Sequence, residues 1–213
     1  GLIIPNISDT FYAQIAGFVE AKAMEMGYTV VFSSSYEKPE KEKELIQSML
    51  NRQVDGLILS STQKNEKDII RLQDDDVPFV LIDRHYPNLD TNYVIVDNYG
   101  GIYHAAEHLL NLGRKSIGFV TIQSGLDAMK QRLKGYMDAM ENNGLKVEDQ
   151  FIVELDQKQH VSQMEEMLKT IVKPERKVDA LLFSTHYLAR EGLRALNQLE
   201  VIIPEEIAIT SFS

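Results

Sequence analysis

Val94-Ile95-Val96-Asp97-Asn98-Tyr99-Gly100-Gly101 decides how this chain is read. Its β-branched start predicts a strand, a polar break follows, and the paired glycines open a helix. The text on either side of it says nearly the same thing twice. Before it come Leu2-Ile3-Ile4, a loop, a helix ending near Gly27, and Tyr28-Thr29-Val30-Val31-Phe32. After it come Ile117-Gly118-Phe119-Val120, a loop, a helix ending at Asn143-Gly144, and Phe151-Ile152-Val153. Val54 to Ser61 is echoed by Val178 to Thr185, and Val77 to Asp83 by Ile203 to Thr210. Matched segments in one order predict two lobes of similar build, residues 1–97 and 98–213.

The strands are near-continuous apolar runs and the helices between them are amphipathic. That alternation predicts an α/β fold: two doubly wound lobes, each a parallel sheet covered on both faces, with Leu57 and Leu181 on strands. Ile15, Phe18, Val19 and Met26 recur at helical spacing behind a cap at Ser8, Asp9 or Thr10. Glu37 to Glu44 alternates acid with base and predicts a solvated helix face. A helix is predicted over Tyr103 to Leu112, another over Leu188 to Leu199, and a break at Pro174.

Composition excludes several functions. With no cysteine among 213 residues there is no thiol catalysis, disulfide or thiolate metal site. No apolar run reaches the roughly 20 residues of a membrane span, and the start lacks the pattern of a signal peptide. A cytoplasmic protein with no membrane partner is expected. The formal net charge of -10 disfavours direct contact of this chain with nucleic acid. The Gly100-Gly101 pair lacks the third glycine and the Lys-Ser/Thr of a phosphate loop, and the five histidines lack metal-ligand spacing. The expectation is therefore no enzyme, no cofactor and no metal.

In open parallel sheets ligands bind beyond the carboxyl ends of the strands. That rule selects Asn6 with Phe11 and Tyr12, then Ser34-Ser35, Ser60-Ser61 and Asp83-Arg84. In the second lobe it selects Thr121 to Gln123, Asp156, Thr185-His186 and Ser213. Phe11 or Tyr12 stacks on a ligand or packs under its loop, and Asp83 accepts from ligand hydroxyls or caps the next loop. Arg132, early in its helix, clamps a ligand or makes a surface salt bridge. As a cleft-lining residue it is expected to support little core. His186 contacts the ligand or is structural.

Assembled, these residues resemble the effector-binding domain of the LacI/GalR family of bacterial transcription regulators. The resemblance rests on Pro5 to Tyr12, Arg52-Gln53-Val54-Asp55-Gly56-Leu57-Ile58, Ile82-Asp83-Arg84 and Val96 to Gly101. It rests most of all on His108 to Phe119, and then on Arg132 with Gly135 and Ile203-Pro204-Glu205-Glu206-Ile207-Ala208. It implies a periplasmic-binding-protein-like fold whose two lobes hinge around a small effector, usually a sugar or nucleobase metabolite. It implies a homodimer that controls operator DNA through a headpiece not in this chain. It also implies a C-terminal strand crossing back into the first lobe beyond Ser213, so that this chain is C-terminally truncated. The residues matching Phe11-Tyr12, Asp83 and Arg132 commonly meet the ligand in that family. The family usually has Asn-Asp where this chain has Thr185-His186, and an Asp near Ser213. Dimerisation is expected through the helix after Thr10 and the one at Leu188, where Leu193, Leu196 and Leu199 exceed the needs of one face. The alternative is a periplasmic sugar-binding protein of a transporter, which shares the fold.

Overall fold

In the computed structural model, which describes residues 1–157, 159–172 and 178–212, the chain divides between Val96 and Asp97 into two units. The first contains β1 (Leu2–Ile4), α1 (Thr10–Glu25), β2 (Phe32–Ser34), α2 (Pro39–Asn51), β3 (Leu57–Leu59), α3 (Glu66–Asp74), β4 (Phe79–Ile82) and β5 (Tyr93–Val94). Its five strands are parallel in the order β2-β1-β3-β4-β5. The second contains α4 (Asn98–Asn111), β6 (Ile117–Ile122), α5 (Asp127–Asn142), β7 (Ile152–Leu155), α6 (His160–Ile171), β8 (Ala180–Phe183), α7 (His186–Gln198) and β9 (Ala208–Ser211). Its four strands are also parallel, in the order β7-β6-β8-β9. Leu57 and Leu181 both lie on strands, as their β-branched, turn-bounded contexts predict.

Successive strand residues point to opposite faces of a sheet, and both faces here are apolar. In the first unit Ile3, Leu57, Leu59 and Leu81 pack with Ile46, Met49, Ile69 and Leu72 of α2 and α3. Leu2, Ile4, Ile58 and Ile82 face α1, through Tyr12 and Ala16. In the second unit Ile117, Phe119, Ala180 and Leu182 pack against α4 and α5, whereas Val120, Ile122, Leu181 and Phe183 face α6 and α7. Gly135 lets α5 approach α4: a Cβ there would stand 2.4 Å from the Tyr99 carbonyl oxygen.

The elements differ from their predicted bounds in instructive ways. The chain from Tyr28 to Val31 is not a strand; only Phe32 of that run enters β2, and Tyr28 is 55% exposed. The helix predicted from Tyr103 begins at Asn98, because the Asp97 carboxylate accepts from the Gly100 N–H at 2.7 Å and caps it there. Phe18 and Met26, read as the apolar face of α1, are 77% and 65% exposed. Leu196 is fully buried in the second core and Leu199 is partly buried against it, so of that leucine trio only Leu193 is exposed. Pro174 lies outside the described residues.

Candidate functional site

The first unit brings its predicted residues to the carboxyl end of its sheet. Asp9 caps α1 by accepting from the Phe11 N–H at 2.9 Å, which fixes where Phe11 and Tyr12 emerge. Their rings meet edge to face, with centroids 5.1 Å apart. Tyr12 is buried and donates its hydroxyl to Asp83 Oδ2 at 2.6 Å, while the Ser60 hydroxyl donates to Tyr12 at 3.3 Å. Burial pushes the Tyr12 phenol well above its ordinary pKa; the nearby Arg84 charge opposes this and the Asp83 carboxylate adds to it. Phe11, only half-buried, is therefore the aromatic with a face to offer. Asn6 accepts from the Ser8 N–H and shapes the loop in front of them.

Asp83 ends β4 in a left-handed conformation, φ 63°. Its neighbour Arg84 is buried and donates to both carboxylate oxygens of Glu37, at 2.6 and 2.8 Å, and to the Ser61 carbonyl at 3.2 Å. Its Nε lies 3.5 Å from Asp83. Burial alone would lower the guanidinium pKa; the Glu37 pair outweighs it and holds the group charged. Tyr36 and Glu37, after β2, also have positive φ, 53° and 57°. Such conformations in non-glycine residues cost of the order of 1–3 kcal/mol each and persist where surrounding contacts fix them. Glu37, exposed as its sequence context predicts, nevertheless pairs with the site region through Arg84, and Arg84 is engaged within the protein.

Glu42 departs from the predicted solvated face: its side chain on α2 is fully buried. It accepts from the Ser61 hydroxyl at 3.0 Å, the Thr62 N–H and the Asn65 amide at 3.1 Å. Burial raises its pKa above the ordinary carboxylate value against the pull of those donors. Ser61 also meets the Tyr86 hydroxyl at 2.8 Å, and burial pushes that phenol up to about 12.

In the second unit Arg132 is buried rather than in a surface salt bridge. It donates to Asn98 Oδ1 at 2.8 Å and to the Ser184 carbonyl at 2.7 Å, and its guanidinium lies 4.1 Å from the centre of the Phe212 ring. This corrects the expectation that it supports little core. Thr185 is buried before α7, with its hydroxyl lacking a hydrogen-bond partner, and His186 begins that helix, half-buried. Ser213 lies outside the described residues. Asn98 and Phe212 were missed by sequence reasoning, although Asn98 stands in the polar break that opens α4.

Among the described residues no group of histidine, aspartate and glutamate side chains could hold a metal ion, and no helix is long and apolar enough to cross a membrane.

Residues 1–211 match the family model of periplasmic binding proteins and the sugar-binding domain of the LacI family. The chain belongs to this family. It is 30% identical over 214 residues to catabolite control protein A of Priestia megaterium, matched over 100% of this chain and 64% of that protein. The chain thus spans under two thirds of that relative's length. The transcription regulator CcpA of Lactococcus lactis superposes with a TM-score of 0.86, at 24% identity, over 100% of this chain and 77% of that one. A LacI family regulator from Lactobacillus casei with bound glucose superposes at 0.82, with 20% identity, over 98% and 78%. Members so similar are transcription regulators rather than enzymes, and two parallel sheets flanked by helices are their common architecture.

Proposed function

We propose that this chain is the effector-sensing and dimerisation domain of a LacI-type transcription regulator of the cytoplasm. It binds a small neutral metabolite, a sugar, and thereby controls operator DNA through a headpiece outside this chain. The observation that carries the reading is the Asp83 carboxylate, which a strained backbone and the Tyr12 hydroxyl fix at the carboxyl end of a parallel sheet. One of its oxygens accepts from Tyr12, leaving the other as an acceptor for effector hydroxyls. Phe11 supplies an apolar ring beside it, as sugar faces require. In the second unit Thr185 and His186 follow β8 at the carboxyl edge of its own sheet, where Arg132 holds the Ser184 carbonyl. Effector affinity that differs between two conformations shifts their populations, which is what a regulator requires. The family relationship supports this reading, and so does the bound glucose of the Lactobacillus casei regulator.

Calorimetry with D-ribose, D-glucose and sucrose tests it. Saturable binding of one of them is expected, weakened at least about tenfold by Asp83→Asn. Asparagine tolerates the positive φ and still accepts from Tyr12, so folding is expected to survive. Unchanged affinity in Asp83→Asn, or no saturable binding of any of the three, overturns the reading.

A further inference from the structure

We propose that Glu42 is a positioning residue for the effector face of the first unit, fixing Arg84 and Asp83 from inside the fold through the loop after β3. The inference rests on the effector-binding reading of Asp83. Glu42 touches none of the residues that end β4; it acts on them through Ser61 and its neighbours.

The connections are continuous. Glu42 Oε1 takes the Ser61 hydroxyl and the Asn65 amide, and Oε2 takes the Thr62 N–H, so three residues of one loop hang on one carboxylate. Ser61 hands the constraint on twice. Its hydroxyl meets Tyr86, and its carbonyl accepts from Arg84 Nη1. Tyr86 in turn accepts from the Asn65 N–H at 3.2 Å, closing the ring of contacts. The preceding residue, Ser60, donates to Tyr12, which donates to Asp83. Moving the loop therefore moves both partners of the β4 terminus. The ionisable groups around Glu42 are Tyr86 and Arg84 from the segment after β4, Glu37 beyond Arg84, and Glu66 of α3 near Tyr86.

A fully buried carboxylate held by neutral donors is an expensive way to brace a loop. An apolar residue in line with Ile46 and Met49 would pack the same helix face of α2. What it could not do is accept from three donors on a segment with no regular structure, where Gln63 is also held in a left-handed conformation, φ 59°. Fixing that segment is the role that a carboxylate, and not a methyl group, performs.

The test compares the wild-type chain with Glu42→Gln by NMR without ligand. Glutamine keeps the volume but sets an N–H donor against one of the three donors. The variant is expected to lose protection of the Thr62 amide and to shift the Arg84 Nε–H and Asp83 carboxyl resonances, leaving Arg132 Nε–H unchanged. In the wild type, lowering the pH should move Arg84 Nε–H in step with the Glu42 carboxyl carbon, a coupling absent from Glu42→Gln. A response confined to Thr62, or none, overturns the proposal. Calorimetry with whichever of glucose, ribose and sucrose the wild type binds is the second arm: about a tenfold loss of affinity in Glu42→Gln is expected, and unchanged affinity alongside shifted Arg84 and Asp83 resonances overturns the positioning role. If wild type binds no glucose, ribose or sucrose, the proposed function fails, and the ligand-free spectra still decide whether Glu42 positions Asp83. Where Glu42→Gln does not fold, the wild-type pH titration decides alone.

Discussion

At the carboxyl edge of the first unit, Glu37, Asp83, Arg84 and Tyr12 hold one another. In the second unit one guanidinium, Arg132, meets the Asn98 amide, the Ser184 carbonyl and the Phe212 ring. The difference concerns redundancy. Taking one member from the first network leaves most of the others still held, because Tyr12, Asp83 and Arg84 each have more than one partner. Taking Arg132 removes one buried group that donates to the Ser184 carbonyl and to Asn98 Oδ1 and covers the Phe212 ring at once. Local strain sorts the same way. Among the described residues, Tyr36, Glu37, Gln63 and Asp83, all in loops that follow strands, have positive φ in the first unit, whereas Gln53 and Asp76 there, and Glu200 in the second unit, follow helices.

Arg132→Ala is expected to have the largest effect, destabilising the chain by about 3 kcal/mol in urea unfolding followed by circular dichroism. A loss below about 1 kcal/mol would erase the contrast with the first unit. Gly135→Ala should follow at about 2 kcal/mol, since the new Cβ meets the Tyr99 backbone oxygen and α4 must move. Glu37→Gln should cost about 1 kcal/mol: the pair is half open to solvent at Glu37, and Arg84 keeps Asp83 and the Ser61 carbonyl. A cost near that of Arg132→Ala would show that the first network is no more redundant than the second.

Glu42 gives a smaller effect that depends on pH. Burial holds its folded pKa above the ordinary value. Its contribution to stability is therefore fully present below the unfolded pKa and is lost as pH rises through the raised folded one. Wild type should gain on Glu42→Gln as pH is lowered from about 8 towards 5. A constant difference across that range would mean that Glu42 titrates normally. Tyr36→Gly should have the smallest effect, raising stability by about 0.5 kcal/mol as backbone strain is relieved, measured by thermal melting. A loss instead would show that the tyrosine ring itself holds the turn.

Most of the fold was legible because burial on both sheet faces leaves unbroken apolar runs, such as Leu57–Leu59 and Ala180–Phe183, that no helix stripe imitates. Tyr28 to Val31 imitated such a run, and only the pairing of Leu2 with Phe32 shows where β2 begins. Polar residues were harder. The alternation of Glu37 to Glu44 hid one carboxylate that pairs with a buried arginine and one that is itself buried, yet a signal existed for the second: Glu42, Ile46 and Met49 share a helical face, and all three are buried. Glu37 carried no such signal, since its role depends on Arg84, 47 residues away. Arg132 could be placed near the carboxyl edge by sequence, but not buried there, because Phe212 and Ser184 reach it only through the fold.

Both sheets are wholly parallel, and that has a consequence for the time the chain needs to find its fold. Neither unit can begin from a hairpin. The amino group of Gly1 donates to Gly56, 55 residues on, and the Ser116 N–H finds Asp179 only after 63 residues, with helices between. Closing such long loops before any sheet contact rewards them places these units among the slow, non-local folders. The Asp179 carboxylate, which accepts from both Lys115 and Ser116 N–H groups, then serves as the clasp that sets β6 beside β8 in the right register once they meet.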